Sequence, residues 1–196
     1  MNWRWKFCPV AVALLLLAAT VIVASAQEST NRPASWARKI EVAGIKNCFQ
    51  VTTNLYRGAQ PTAEGMKQLK ANGVKTVVNL RAWHSDKDKV AGTGLNSVRF
   101  EMEPWHGDEA EVIQFLKIVT DTNNLPAFVH CERGADRTGM MCAMYRITVC
   151  GWTKQEAIAE MKDGGFGFNP VWQELVTFVE KADVADIKHR ARLQED

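Results

Sequence analysis

Cys131 and Arg137 stand six positions apart in the run His130-Cys131-Glu132-Arg133-Gly134-Ala135-Asp136-Arg137-Thr138-Gly139, where residue types and spacing combine into chemistry. The apolar segment Pro126 to His130 precedes the run, and the apolar stripe Met140, Met144, Ile147 follows it, so the spacing predicts a loop leading from a strand end into a helix start. Such a loop presents successive backbone N–H groups, and the helix start adds the positive end of its dipole; together they form a concave anion site. Gly134 and Gly139 are expected to let the backbone turn and approach a ligand. Arg137 can take two oxygens of a phosphate with its planar guanidinium. Cys131 then lies on the floor, where amide dipoles, a helix N-terminus and a guanidinium favour the thiolate over a thiol that ordinarily ionises near about 8.5. The chemistry implied is nucleophilic attack on bound phosphorus. The competing reading is a buried cysteine that only packs at a strand end.

Elements to position this loop are legible around it. Val74 to Leu80 is rich in β-formers, Val98, Phe100 and Met102 alternate with polar residues, and Pro126 to His130 is a third short strand. Helical spacing joins Val112, Phe115, Leu116 and Val119, then Trp172, Leu175, Val176 and Val179, with a shorter stripe at Ala157, Ile158 and Met161. Strands alternating with helices predict a single α/β domain of about 150 residues. Residues 27–47 form a polar leader with a short helix expected around Trp36 to Val42. The domain proper is placed at 48–183, and 184–196 reads as a solvated, frayed helical tail.

The loop resembles the signature of the cysteine-based protein tyrosine and dual-specificity phosphatases. Leu55-Tyr56-Arg57-Gly58-Ala59-Gln60-Pro61, the strand Val74 to Leu80, and Ala143-Met144-Tyr145-Arg146 through Gly151-Trp152 to Gly164-Gly165-Phe166-Gly167 extend the likeness to the TpbA-like bacterial exported branch, from about Ile45 to Val179. That resemblance implies a central, mostly parallel sheet flanked by helices, and metal-free, cofactor-free hydrolysis of phosphomonoesters.

Attack by Cys131 would expel an alkoxide or phenoxide, a poor leaving group unless protonated. Glu103-Pro104-Trp105-His106-Gly107-Asp108-Glu109 falls between the alternating strand and the next helix. Its Pro-x-His-x-Asp pattern is similar to the family's acid loop, which makes Asp108 the candidate general acid and later base; the chain is shorter than the family pattern immediately after it. The alternative for Asp108 is capping of the following helix, with Glu109 and His106 as other acids. Thr138 can hydrogen-bond the departing sulfur, or cap its helix. His130 is expected to orient the loop, while Glu132, Arg133, Gly134, Ala135 and Asp136 supply N–H groups to the phosphate alongside Arg137. The acids Glu132 and Asp136 speak against a polyphosphorylated inositol substrate. Arg57 and Tyr56 read as structural, Cys142 and Cys150 as core, Cys48 as a thiol with no defined bridge, His84 and His189 as surface, and Gly164 to Phe168 as a helix connection.

At the other end of the chain, Arg4 and Lys6 precede an apolar run from Val10 to Val23 and then Ala24-Ser25-Ala26, the layout of a secretory signal cleaved after Ala26. An uncleaved anchor is the alternative, and either places the domain outside the cytoplasm, in a bacterial cell the periplasm. Those two residues also account for the formal charge of +2, because the 22 other basic residues balance the 22 acids. A neutral domain lacks the basic footprint of a nucleic-acid binder. The expectation is an exported monomeric phosphatase of phosphotyrosine, extending to phosphoserine and phosphothreonine in phosphorylated proteins, through a phosphocysteine. Alternatives are a phosphatase for a lipid or small phosphate ester and a non-catalytic phosphate-binding module. Sulfur transfer or arsenate reduction would want a resolving cysteine near Cys131, and the sequence offers no obvious one.

Overall fold

The computed structural model describes residues 32–193; the segment expected to be a secretory signal, with Cys8, the start of the leader and the last three residues lie outside them. In chain order the elements are β1 (Arg38–Lys39), β2 (Phe49–Gln50), β3 (Leu55–Gly58), α1 (Ala63–Ala71), β4 (Thr76–Asn79), α2 (Lys87–Val90), β5 (Asn96–Arg99), α3 (Glu109–Thr120), β6 (Ala127–His130), α4 (Asp136–Thr148), α5 (Lys154–Asp163), α6 (Gln173–Lys181) and α7 (Val184–Ala191). The sheet runs β1-β2-β3-β6-β4-β5, with β3, β6, β4 and β5 parallel and the β1-β2-β3 edge antiparallel. This is the α/β architecture, with its mostly parallel sheet, that the resemblance implies.

Alternation along the buried strands divides the core. Val77 of β4 and Phe128 of β6 face Met66 and Leu69 of α1, whereas Val78, Ala127 and Val129 face the cluster built by α3 to α7. Within that second layer every residue of α4 is buried, so the helix is wrapped on all sides and its start is a fixed point. The register sets Gly58, His130, Asn79 and Arg99 side by side at the carboxyl edge of the sheet. The loops leaving those four residues converge there, as ligand sites of open parallel sheets do.

Two segments differ from the sequence reading. Trp36 to Val42 is not helical: Arg38 and Lys39 pair with Gln50 and Phe49, and the Ala37 N–H donates to Glu160 of α5, itself locked to Arg146 of α4 at 2.8 and 2.9 Å. Those non-local partners override a short apolar pattern. The expected helical tail is helical in α7 but not solvated: Asp183 caps it on the Asp186 N–H at 3.1 Å, and Ile187 and Ala191 are buried in the core.

Candidate active site

The loop between β6 and α4 is held from behind, carbonyl by carbonyl. The Cys131 oxygen lies 3.0 Å from His130 Nδ1, the Glu132 oxygen accepts from the Gln60 N–H at 3.0 Å, and the Arg133 oxygen accepts from Asn47 Nδ2 at 2.9 Å. Arg57 Nη2 donates to the oxygens of Gly134 at 2.9 Å and Ala135 at 3.3 Å. In a trans peptide the N–H points opposite to the C=O, so five carbonyls engaged on the outside leave the N–H groups of 132–136 turned inward. None of those five N–H groups donates to another described residue. At Gly134, with φ +71°, an added Cβ would sit 2.3 to 2.5 Å from the backbone of Gly58 and Ala59, so only glycine lets the loop rest against β3. Gly139 does a different job from the one its sequence position suggested. It lies inside α4, where a Cβ would come within 3.0 Å of Met161, so it serves helix packing and not a turn.

Beside this loop lies a cavity of about 230 Å³ lined by Pro104, Cys131, Glu132, Arg133, Asp136, Arg137 and Trp172. Cys131 is buried on the cavity wall. Arg137, 8% exposed, donates through Nη1 to the carbonyls of Leu80 and Met102, each at 3.0 Å, which fixes the plane of its guanidinium. Asp136 is engaged elsewhere, taking Arg133 Nη2 at 3.1 Å and the Asn169 N–H at 2.8 Å. Thr138 is wholly buried, and its hydroxyl has no hydrogen-bond partner among the described residues. It does not cap α4, because the capping position is Ala135.

Behind the loop lies a buried pair absent from the sequence reading. His130 Nε2 is 2.8 Å from Asp86 Oδ2, and Asp86 Oδ1 accepts from Gln60 Nε2 at 2.6 Å. Burial pushes the Asp86 carboxyl up, but the hydrogen bond and charge of His130, with Gln60 and Lys89, outweigh it and hold the group below its ordinary value. An ionised Asp86 is an acceptor only, so His130 Nε2 is the donor in that bond. Asp86→Ala, which strands His130, is expected to lower stability by about 3–5 kcal/mol at neutral pH. A carboxylate with a depressed folded pKa contributes stability that is present above its unfolded value of about 3.9 and lost as pH falls through the folded one. The gap between wild type and variant should therefore narrow below about pH 4 in denaturant titrations. A gap of equal size at pH 3 and pH 7 would contradict the ion pair.

The acid loop presents a different picture. Asp108 is exposed and caps α3, its Oδ1 accepting from Ala110 N at 2.7 Å and Glu111 N at 3.2 Å. Of residues 103–108 only Pro104 lines the Cys131 cavity. His106 and Glu109 border a neighbouring hollow of about 440 Å³ against α6, and Glu109 also pairs with Arg190 at 3.2 Å. The loop is seated by Gly107, where a Cβ would meet Phe178 at 2.6 Å and Met140 at 2.8 Å. The structure thus brings Cys131, Arg137 and the 132–136 backbone together and leaves all three acid candidates outside the lining of their cavity. Trp172, Pro104, Asn47, Gln60 and Asp86 escaped the sequence reading as site residues. Gln60 carried a usable signal, since it belongs to the motif containing Arg57.

Among the described residues no group of three or more His, Cys, Asp or Glu side chains is arranged to hold a metal ion, and no helix is long and apolar enough to cross a membrane. Residues 41–177 match a family model described as DSP-PTPase phosphatase fused to NAD+ kinase. The chain is 34% identical over 191 residues to the dual specificity protein phosphatase TpbA of Pseudomonas aeruginosa, covering 92% of this chain and 85% of that one. A solved structure of a cysteine-to-serine variant of P. aeruginosa TpbA in complex with phosphotyrosine superposes with a TM-score of 0.73 at 30% identity, over 83% of this chain and 99% of that one. The catalytic core of the PP-IP phosphatase SIW14 from S. cerevisiae shares the fold, with a TM-score of 0.67 at 23% identity over 78% of this chain and 94% of that one. A loop of inward amides around a cysteine and an arginine, on a fold and sequence shared with TpbA over most of its length, makes this chain a member of the TpbA-like dual-specificity phosphatases, cysteine-based phosphoric monoester hydrolases.

Proposed function

We propose that the protein dephosphorylates phosphotyrosine, and more slowly phosphoserine and phosphothreonine, in proteins outside the cytoplasm, through a phosphocysteine on Cys131. The observation that carries this reading is the loop whose five carbonyls are engaged on its outer side, leaving five amides and Arg137 to receive a PO3 group above one sulfur. Cys131 Sγ forms a bond to phosphorus while the ester P–O bond breaks, its electron pair passing to the leaving oxygen. Asp108 protonates that oxygen. Both of its capping bonds fall on Oδ1, which leaves Oδ2 to carry the proton when the loop brings it to the ester. Water then attacks phosphorus, Asp108 takes its proton, and the thiolate departs with the Thr138 hydroxyl as hydrogen-bond donor.

Support for an aromatic ester comes from the cavity walls, Trp172 and Pro104, which offer flat surfaces beside the amides, and from the phosphotyrosine bound by the TpbA variant. Glu132 lines the cavity with its side chain largely exposed and paired to Arg81 at 3.5 Å, which places an acid beside the site, a poor neighbour for a polyphosphate. Export is supported by the N-terminal sequence pattern. Side-by-side kinetics on a phosphotyrosine peptide, a phosphoserine peptide and an inositol polyphosphate should rank the first highest by at least about tenfold in kcat/KM. A preference for the inositol ester would overturn the substrate assignment.

Asp108→Asn tests the acid separately. General acid catalysis is worth about 10² to 10⁴ and matters most for poor leaving groups. A loss near the upper figure on phosphotyrosine and a small loss on p-nitrophenyl phosphate are expected; equal losses would move the role to Glu109 or His106.

A further inference from the structure

Arg57 is 1% exposed, and among the described residues no carboxylate lies within ion-pair distance of it. Its Nη2 reaches only the carbonyls of Gly134 and Ala135, its guanidinium stacks on Phe166 at 3.7 Å, and its Nε has no partner. Nearby groups that could neutralise it do not. Glu160 is committed to Arg146 at 2.8 and 2.9 Å, and Cys142, pushed up to about 11 by burial, stays a neutral thiol. A buried charge without a counter-charge is strongly disfavoured, so the balance must come from the loop itself, from the Cys131 sulfur or from an anion bound above it.

We infer that Arg57 is a positioning residue of the phosphate site, a second cation whose counter-charge is the anion bound in the loop, acting through the peptides of Gly134 and Ala135. This rests on the loop being the phosphate site proposed above. The carbonyls of those peptides face the guanidinium, and the N–H groups at their other ends belong to Ala135 and Asp136, two of the five turned inward. The cation both fixes the peptide planes and polarises them toward stronger donation. A hydrogen bond, a peptide and a second hydrogen bond add up to about 8 Å between guanidinium and anion. At an effective dielectric of about 20, one unit charge at that distance changes anion affinity roughly thirtyfold.

Two variants separate charge from packing. Arg57→Lys keeps the charge and loses the fork; Arg57→Gln loses the charge but keeps an N–H donor for the Gly134 carbonyl. Tungstate binding, followed by calorimetry and by the rise in Tm it causes, needs no turnover. The lysine variant should bind within about fivefold of wild type and the glutamine variant at least tenfold more weakly, with a smaller tungstate-induced rise in Tm. A packing role would lower Tm without separating the two in affinity. Equal binding by the two variants, wild-type binding by the glutamine variant, or a tenfold loss in the lysine variant overturns the inference. Should the glutamine variant not fold, the lysine variant decides by the same limits. A wild-type protein that binds no tungstate overturns the phosphate-site reading itself, and this inference with it.

Discussion

Cys131→Ser is expected to reduce hydrolysis of an aryl phosphate by about four to six orders of magnitude, the scale on which removing a covalent nucleophile acts, while phosphate or tungstate still binds. The two outcomes separate because the structure separates their causes. Binding draws on the amides of 132–136, aimed by Asn47, Arg57, Gln60 and His130, none of which depends on the sulfur. Bond-making draws on the sulfur alone, since serine in the same place has a hydroxyl that stays protonated at working pH. The other described thiols are poor substitutes: Cys48 is pushed up to about 12 and Cys142 to about 11 by burial, and Cys150 is raised for the same reason. Among the described thiols, iodoacetamide labelling of the folded protein at neutral pH should accordingly concentrate on Cys131, and that label should vanish in the variant. Undiminished turnover would refute the nucleophile, and loss of tungstate binding would show that the sulfur also holds the loop in shape.

The parts of this site legible in the sequence are those that lie next to one another in the chain. His130 to Gly139 spells out the loop because the amides, the thiol and the guanidinium all come from ten consecutive residues flanked by a strand and a helix. What holds that loop is distributed. Asn47 precedes β2, Gln60 follows β3, and Asp86 stands at the start of α2; they meet only because the parallel register brings Gly58, Asn79 and His130 to one edge. No local pattern encodes that meeting. Asn47 in addition adopts a left-handed backbone, φ 53°, which lets its side chain bridge the Arg133 and Phe166 carbonyls. The Gly164 to Phe168 connection reads as a spacer in sequence, yet Phe166 is the surface on which Arg57 lies. The helical character of α7 is legible but its burial is not, because its buried face is only Ile187 and Ala191 among charged neighbours, a stripe too thin to stand out until α3 and α4 provide a surface for it. Asp108 shows the opposite difficulty: capping and acid catalysis ask for the same residue at the same place, so the sequence offered both roles and the structure displays the first.

Arg137→Lys is expected to lower kcat/KM for an aryl phosphate by about 10² to 10³, the range associated with losing one preorganised oxyanion donor, despite conserving the charge. Arg137 uses one end of its guanidinium on the protein: Nη1 donates to the Leu80 carbonyl at the end of β4 and to Met102 beyond β5, each at 3.0 Å. With that end fixed, the plane of the fork is set and its remaining N–H groups can face the cavity, which Arg137 lines beside Cys131. A lysine ammonium has three donors about a single nitrogen and no plane. Satisfying Leu80 and Met102 would draw it away from the phosphoryl oxygens, and turning toward those oxygens would leave two buried carbonyls without their donor. The loss should fall mainly on kcat, because a planar fork matches the equatorial oxygens of a transferring PO3 group better than those of the tetrahedral ground state. Tungstate affinity, which needs charge more than shape, should fall less than kcat/KM does. A lysine variant with kcat within threefold of wild type would mean that Arg137 acts only as a charge, and that the Leu80 and Met102 carbonyls have no part in catalysis.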